Sequence, residues 1–259
     1  MSQILAITDS NIIHNIKLSC QIPDVLQAIA SQKIIAEAAQ AAGIEVNEAE
    51  LQEEGDKLRL EKKLFKAQDT WTWLKKHHLS VKDFEEIVEN NVLSRKLANH
   101  LFSSEVEKFF YEHKLDYSTA VIYQVVFDHI DVALEMFYAL QEEEITFPEI
   151  ARLYIQEPEL RRAYGYQGVQ YHKDLRPEIA AAVFASSPPG ILKPITTPKG
   201  VYLVWVEEVI QPQLDKQLRE KIINELFAEW LKKEVDFLNI ATQLDVEAIQ
   251  PQDELLSQA

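Results

Sequence analysis

Cysteine occurs once in these 259 residues, at Cys20, so the chain forms no internal disulfide. Glycine is scarce as well: six residues, none of them in a phosphate-binding loop or a Gly-x-Ser-x-Gly elbow. The adjacent His77 and His78 lack the further ligands, at characteristic spacing, that a zinc site requires. No metal and no cofactor is therefore expected. Positive charge is in deficit, with 26 Lys and Arg against 42 Asp and Glu, and the resulting −16 repels phosphate backbones and anionic lipid heads. Nucleic acid and membrane surfaces are thereby disfavoured as partners. Long apolar runs are missing too, since no window approaches the ~20 residues of a membrane span. In the opening "MSQILAITDSNIIHNIKLSC", Asp9 and several polar residues interrupt the apolar core that a secretory signal needs. The expectation is a cytoplasmic protein without membrane insertion.

What the chain does have is apolar periodicity. Its 47% hydrophobic content suits a folded globular protein, and the length suits two domains. In "VLQAIASQKIIAEAAQAA", Val25, Leu26, Ile29, Ile34, Ile35, Ala38 and Ala39 follow helical spacing, and Gly43 offers a stop. Asn47 with Glu50 makes a capping-box pattern ahead of a charged helix, and "DTWTWLKKHHL" predicts a short one. Ser80 opens another helix, and Ser104 with Glu107 has the same box spacing before "VEKFFYEHKL". Residues 1–117 thus read as an all-helical domain.

The texture changes at "DYSTAVIYQVVFD", where β-branched and aromatic residues crowd together as in a buried strand. Helical patterns follow in "IDVALEMFYALQEEE" and, after a Thr146–Glu149 box, in "FPEIARLYI". Turn formers then gather: Gly165, Gly168, Gly190 and Gly200, and five of the ten prolines, lie between Arg162 and Val209. "GVYLVWVEEVI" is a second strand. Strand, two helices, a turn-rich segment, a helix and a strand make a small α+β domain over 118–211. Beyond Pro212, the face carrying Leu218, Ile222, Ile223, Leu226, Phe227, Trp230 and Leu231 predicts an amphipathic helix within 212–245 that packs back on the N-terminal helices. Residues 246–259 read as a flexible tail.

This order of elements resembles the parvulin-type peptidyl-prolyl isomerases of SurA-like and PrsA-like foldases. "IQEPELRRAYGYQG" is similar to the family's glycine-rich middle turn, matching at Gly165 and Gly168, and "LRPEIAAAVFA" to its pocket helix. "GILKPITTPKGVYLVWV" resembles the closing segment, matching at Gly190, Pro194, Thr197 and Gly200. "AAGIEVNEAELQEE" and "HHLSVKDFEEIVENNVLSRKLA" resemble the SurA-like chaperone domain, into which the small α+β domain would be inserted. The resemblance places Gln124 and Tyr202 where the family carries its two histidines, and Glu157, ahead of Pro158, at its acidic or cysteine position.

The resemblance implies prolyl isomerisation, which requires neither nucleophile nor metal but relief of a barrier of ~18–20 kcal/mol set by amide resonance. An apolar site that holds the proline ring and favours the twisted amide supplies this by differential binding. Leu175 and Ile179 are the candidate ring contacts. Gln124, Glu157, Thr197 and Tyr202 are the candidate polar groups. Each has a plainer alternative: Gln124 a strand amide bonded to a neighbour, Tyr202 a core aromatic, Glu157 a solvated loop acid, Leu175 and Ile179 simple core. Two functions stay open, an isomerase-foldase acting on unfolded, proline-containing polypeptides, and a catalytically silent peptide-binding chaperone or secretion adaptor with export machinery as a further partner.

Overall fold

A computed structural model describes residues 5–242 and 244. The architecture is α+β, with eleven α-helices and a five-stranded antiparallel sheet among the described residues. They divide into two compact units: the residues up to Ser103 together with those from Ile223 onward, and Ser104–Ile222. The expected 118–211 segment lies inside the second unit, and the expected tail 246–259 lies outside the described residues. Among the described residues no helix is long and apolar enough to cross a membrane.

The first unit is helical. Helix α1 (Asp9–Leu18) was not anticipated, because none of its side chains is buried and its apolar residues define no core face. Helices α2 (Ile22–Ala41) and α3 (Glu48–Glu61) both pack on α5 (Val81–Phe102), whose Val88, Val92, Leu97 and Ala98 are buried; α4 (Ala67–Lys76) contributes Leu74. Asn47 and Ser80 accept the backbone N–H of Glu50 and Asp83 as N-caps, each box being closed by the acidic side chain. One charge is buried here: Glu54 accepts from Arg95 Nη1 at 2.8 Å, which compensates its loss of water.

The expected Ser104–Glu107 box does not form. Helix α6 (Val106–Glu112) starts after Glu105 with no side-chain cap, and the Glu107 carboxylate accepts from Arg219 Nη2 at 2.6 Å instead. A charge-assisted bond to a guanidinium is stronger than one to a neutral backbone N–H, so the tertiary partner wins over the local one.

In the second unit, strand β1 (Thr119–Phe127) is central, flanked by β2 (Tyr166–Tyr171) on one side and β5 (Gly200–Ile210) on the other. Two short strands, β3 (Gly190–Ile191) and β4 (Ile195–Thr197), pair with β5. Strand β2 sits in the stretch read as turn-rich, because "YQGVQY" has no apolar alternation of its own. Helices α7 (Ile130–Gln141), α8 (Phe147–Tyr154) and α9 (Pro158–Arg162) connect β1 to β2, and α10 (Pro177–Phe184) follows β2. The alternation of β1 and β5 divides their side chains between two cores. Val125, Phe127, Val201 and Leu203 pack with Ala133 and Phe137 of α7 and Ile150 of α8. Ala120, Ile122, Val204 and Val206 pack with Ile179 and Val183 of α10. Helix α11 (Lys216–Asp236) follows the sheet, with Ile222, Ile223 and Phe227 buried.

Candidate functional site

Period-two alternation puts Gln124 on the side of β1 that carries Ile122, and Tyr202 on the side of β5 that carries Val204. Gln124 lies opposite Val204, and Tyr202 opposite Val126, so the two polar side chains are diagonal neighbours on the α10 face. Gln124 is half-buried and Tyr202 buried. Helix α10 closes this face. Pro177 fixes its first turn, and Ile179 and Val183, four residues apart, point at the sheet. Leu175, just ahead of the helix, is half-buried against the same cluster as Ile179 and Tyr202. Four of the six residues singled out from sequence thus share one face.

The other two have structural engagements. Glu157 is the N-cap of α9, its carboxylate accepting the Leu160 N–H at 2.9 Å. Thr197 is buried in the β4–β5 turn, where Oγ1 donates to the Gly200 carbonyl at 3.0 Å and accepts the Lys199 N–H at 3.2 Å. Gly200 itself has φ +128, and a Cβ there would lie 2.9 Å from the Phe127 carbonyl oxygen. This turn fixes where β5 starts and hence where Tyr202 points. Glu157 and Thr197 therefore hold the backbone around the face.

Among the described residues no group of three or more His, Cys, Asp or Glu is placed to hold a metal ion. Gln124 and Tyr202 contribute an amide and a phenol to the apolar α10 face, and the His172 ring contacts Phe184 of α10. Of the four residues gathered on this face, the half-buried Leu175 and Gln124 are the ones a ligand can reach, while Ile179 and Tyr202 are buried behind them.

The sequence reading missed a second feature, on the opposite face. Tyr123 stands beside the Glu207 carboxylate, whose interaction with the phenol, with burial second, pushes the Tyr123 pKa above its ordinary value. Both residues line a cavity of about 730 Å³ beside α7 and α8. The signal in the sequence is the alternation of Trp205 and Glu207, which strand pairing alone turns into a site with Tyr123.

Residues 101–220 match the family model of the PPIC-type PPIASE domain. This part of the chain is a parvulin-type peptidyl-prolyl isomerase domain. Among solved structures, the peptidylprolyl isomerase PrsA from Bacillus cereus is 12% identical with TM-score 0.49, covering 92% of this chain and 91% of its own. PrsA from Bacillus anthracis is 18% identical with TM-score 0.45, covering 82% and 94%. A structure from a study of two SurA-like chaperones of Campylobacter jejuni is 17% identical with TM-score 0.36, covering 89% and 90%. A search of curated protein sequences finds no match. The family match, not these distant similarities, carries the assignment.

Proposed function

We propose that this chain is a peptidyl-prolyl cis-trans isomerase acting as a foldase on unfolded or extended proline-containing segments. The observation that supports the reading is the gathering of Leu175, Ile179, Gln124 and Tyr202 on the α10 face of a parvulin-type domain. Leu175, half-buried at the edge of this face, contacts the proline ring, with the buried Ile179 packed behind it. The Gln124 amide and the Tyr202 hydroxyl stabilise the carbonyl as it leaves the amide plane, and the half-buried setting strengthens such bonds relative to water. No covalent step is required, only tighter binding of the twisted amide than of either planar form.

A second reading follows from the resemblance. By that sequence resemblance Gln124 and Tyr202 stand where the family carries its histidines, and a face so altered serves equally as a peptide-binding module, either a silent chaperone or an adaptor handing clients to export machinery. NMR exchange spectroscopy on an Xaa-Pro peptide separates the two. Acceleration by the full chain that is lost in Leu175→Ala supports the isomerase. Peptide binding without acceleration supports the module. A cytoplasmic location belongs to this proposal too, and cell fractionation tests it.

A further inference from the structure

The cavity beside α7 and α8 lies on the opposite side of the sheet from α10, and the function proposed above leaves it unused. Tyr123, Phe147, Tyr164 and Trp205 line it, together with the carboxylates of Glu143 and Glu207. Its remaining lining is apolar but for Thr146, and no basic residue contributes. At about 730 Å³ it falls within the range of ligand-binding clefts, ~300–1,000 Å³.

Its acidic group is built by a strand irregularity. Val121 pairs with Glu208 and Ile122 with Val206, so Glu207 is the extra residue of β5 with no partner on β1. Bulges of this kind re-aim a side chain. Here Glu207 stays on the face of Trp205, and both line the cavity together with Tyr123. Trp205 faces Tyr123 across the β1–β5 pair, which sets two ring systems beside that carboxylate. Tyr164 already carries the Arg152 guanidinium 5.3 Å from its ring centroid, so the same domain shows the contact in question.

We infer that this cavity binds an arginine side chain of an extended polypeptide, the guanidinium stacking against Trp205 and Tyr123 while Glu207 and Glu143 supply the opposite charge. Charge complementarity carries the choice: Glu143 and Glu207 line an otherwise aromatic and apolar cavity, and the Arg162 cation lies in the adjoining groove that shares Tyr123, Tyr164 and Glu207. A planar guanidinium satisfies both features at once, through its π-stacking faces and its forked donors. A purely apolar side chain would gain nothing from the two exposed carboxylates. An acidic one would be repelled.

The test titrates the full chain with a capped Ala-Ala-Arg-Ala-Ala peptide and with its norleucine counterpart, following the indole N–H signals of the four tryptophans, Trp205 being assigned through Trp205→Phe. The expected result is a shift of the Trp205 signal with the arginine peptide, with affinity about tenfold above that of the norleucine peptide. Affinity falls about tenfold in Glu207→Gln, an exposed position that leaves the fold intact, and is unchanged in Leu175→Ala. The inference is overturned if the norleucine peptide binds as well, if Glu207→Gln has no effect, or if the Trp205 signal does not respond. Because Leu175 belongs to the other face, failure here leaves the isomerase reading standing, and failure of that reading leaves this one.

Discussion

Gly165 lies against the backbone of Gln124: its carbonyl accepts the Gln124 N–H at 2.9 Å, and a Cβ built on it would sit 2.5 Å from the Gln124 carbonyl oxygen. With φ +83, Gly165 also occupies the left-handed region that a side chain disfavours. Gly165→Ala meets both obstacles and should lower stability by at least about 2 kcal/mol. Gly168→Ala is the control: φ is +73, but nothing lies within 4 Å of the added carbon, so only the backbone term remains, about 1 kcal/mol. Urea unfolding of both variants checks the difference. Equal losses would show that the contact with Gln124 has no energetic consequence.

Thr197→Val keeps the shape of a buried side chain but removes its hydroxyl. The Gly200 carbonyl loses a donor and the Lys199 N–H an acceptor in a partly desolvated turn, so the expected cost is about 1–3 kcal/mol. If the role of Thr197 is to seat β5, isomerisation by the fraction still folded stays within about twofold of the parent, a difference worth only about 0.4 kcal/mol. A much larger drop with the fold intact would move Thr197 into the site itself.

Sequence reading went furthest where local pattern and tertiary outcome coincide. β1 and β5 announced themselves by β-branched and aromatic density, α3 and α5 by their caps, and α10 by the likeness of "LRPEIAAAVFA" to the family's pocket helix. Where long-range partners decide, the signal was missing. Strand β2 is a strand because β1 pairs with it, and the Ser104–Glu107 spacing failed as a box because Arg219, more than a hundred residues on, offers a charged donor. Glu207 is the sharpest case. Its exposure on the Trp205 face beside Tyr123 depends on a register slip between strands about eighty residues apart, which neither strand shows alone.

The Glu107–Arg219 pair makes a pH-dependent contribution whose sign is fixed. The guanidinium holds the Glu107 carboxyl below its ordinary value of 4.5, first through the hydrogen bond. Because the folded value lies below the unfolded one, the stabilisation is fully present above about 4.5 and is lost as pH falls through the folded value. In Arg219→Gln the Glu107 titration, followed by carboxyl-carbon NMR, should move up toward 4.5, and this part of the acid loss of stability should vanish. The pair is solvent-exposed, so added salt should weaken it in the parent. An unmoved titration would mean that Arg219 does not set the Glu107 value.

Leu175 and Glu157 separate ring binding from scaffolding. Leu175→Ala removes apolar contact from a half-buried position, at roughly 0.8 kcal/mol per methylene, so kcat/KM on an Xaa-Pro peptide should fall about tenfold or more while the fold persists. Glu157→Asn puts a preferred N-cap residue in place of the glutamate that caps α9, and turnover should change by less than about twofold. The contrast depends on what each side chain touches: Leu175 packs with Ile179 and Tyr202, whereas the Glu157 carboxylate is occupied by the Leu160 N–H. A large loss in Glu157→Asn with Leu175→Ala unaffected would transfer the chemistry from the α10 face to the loop ahead of Pro158.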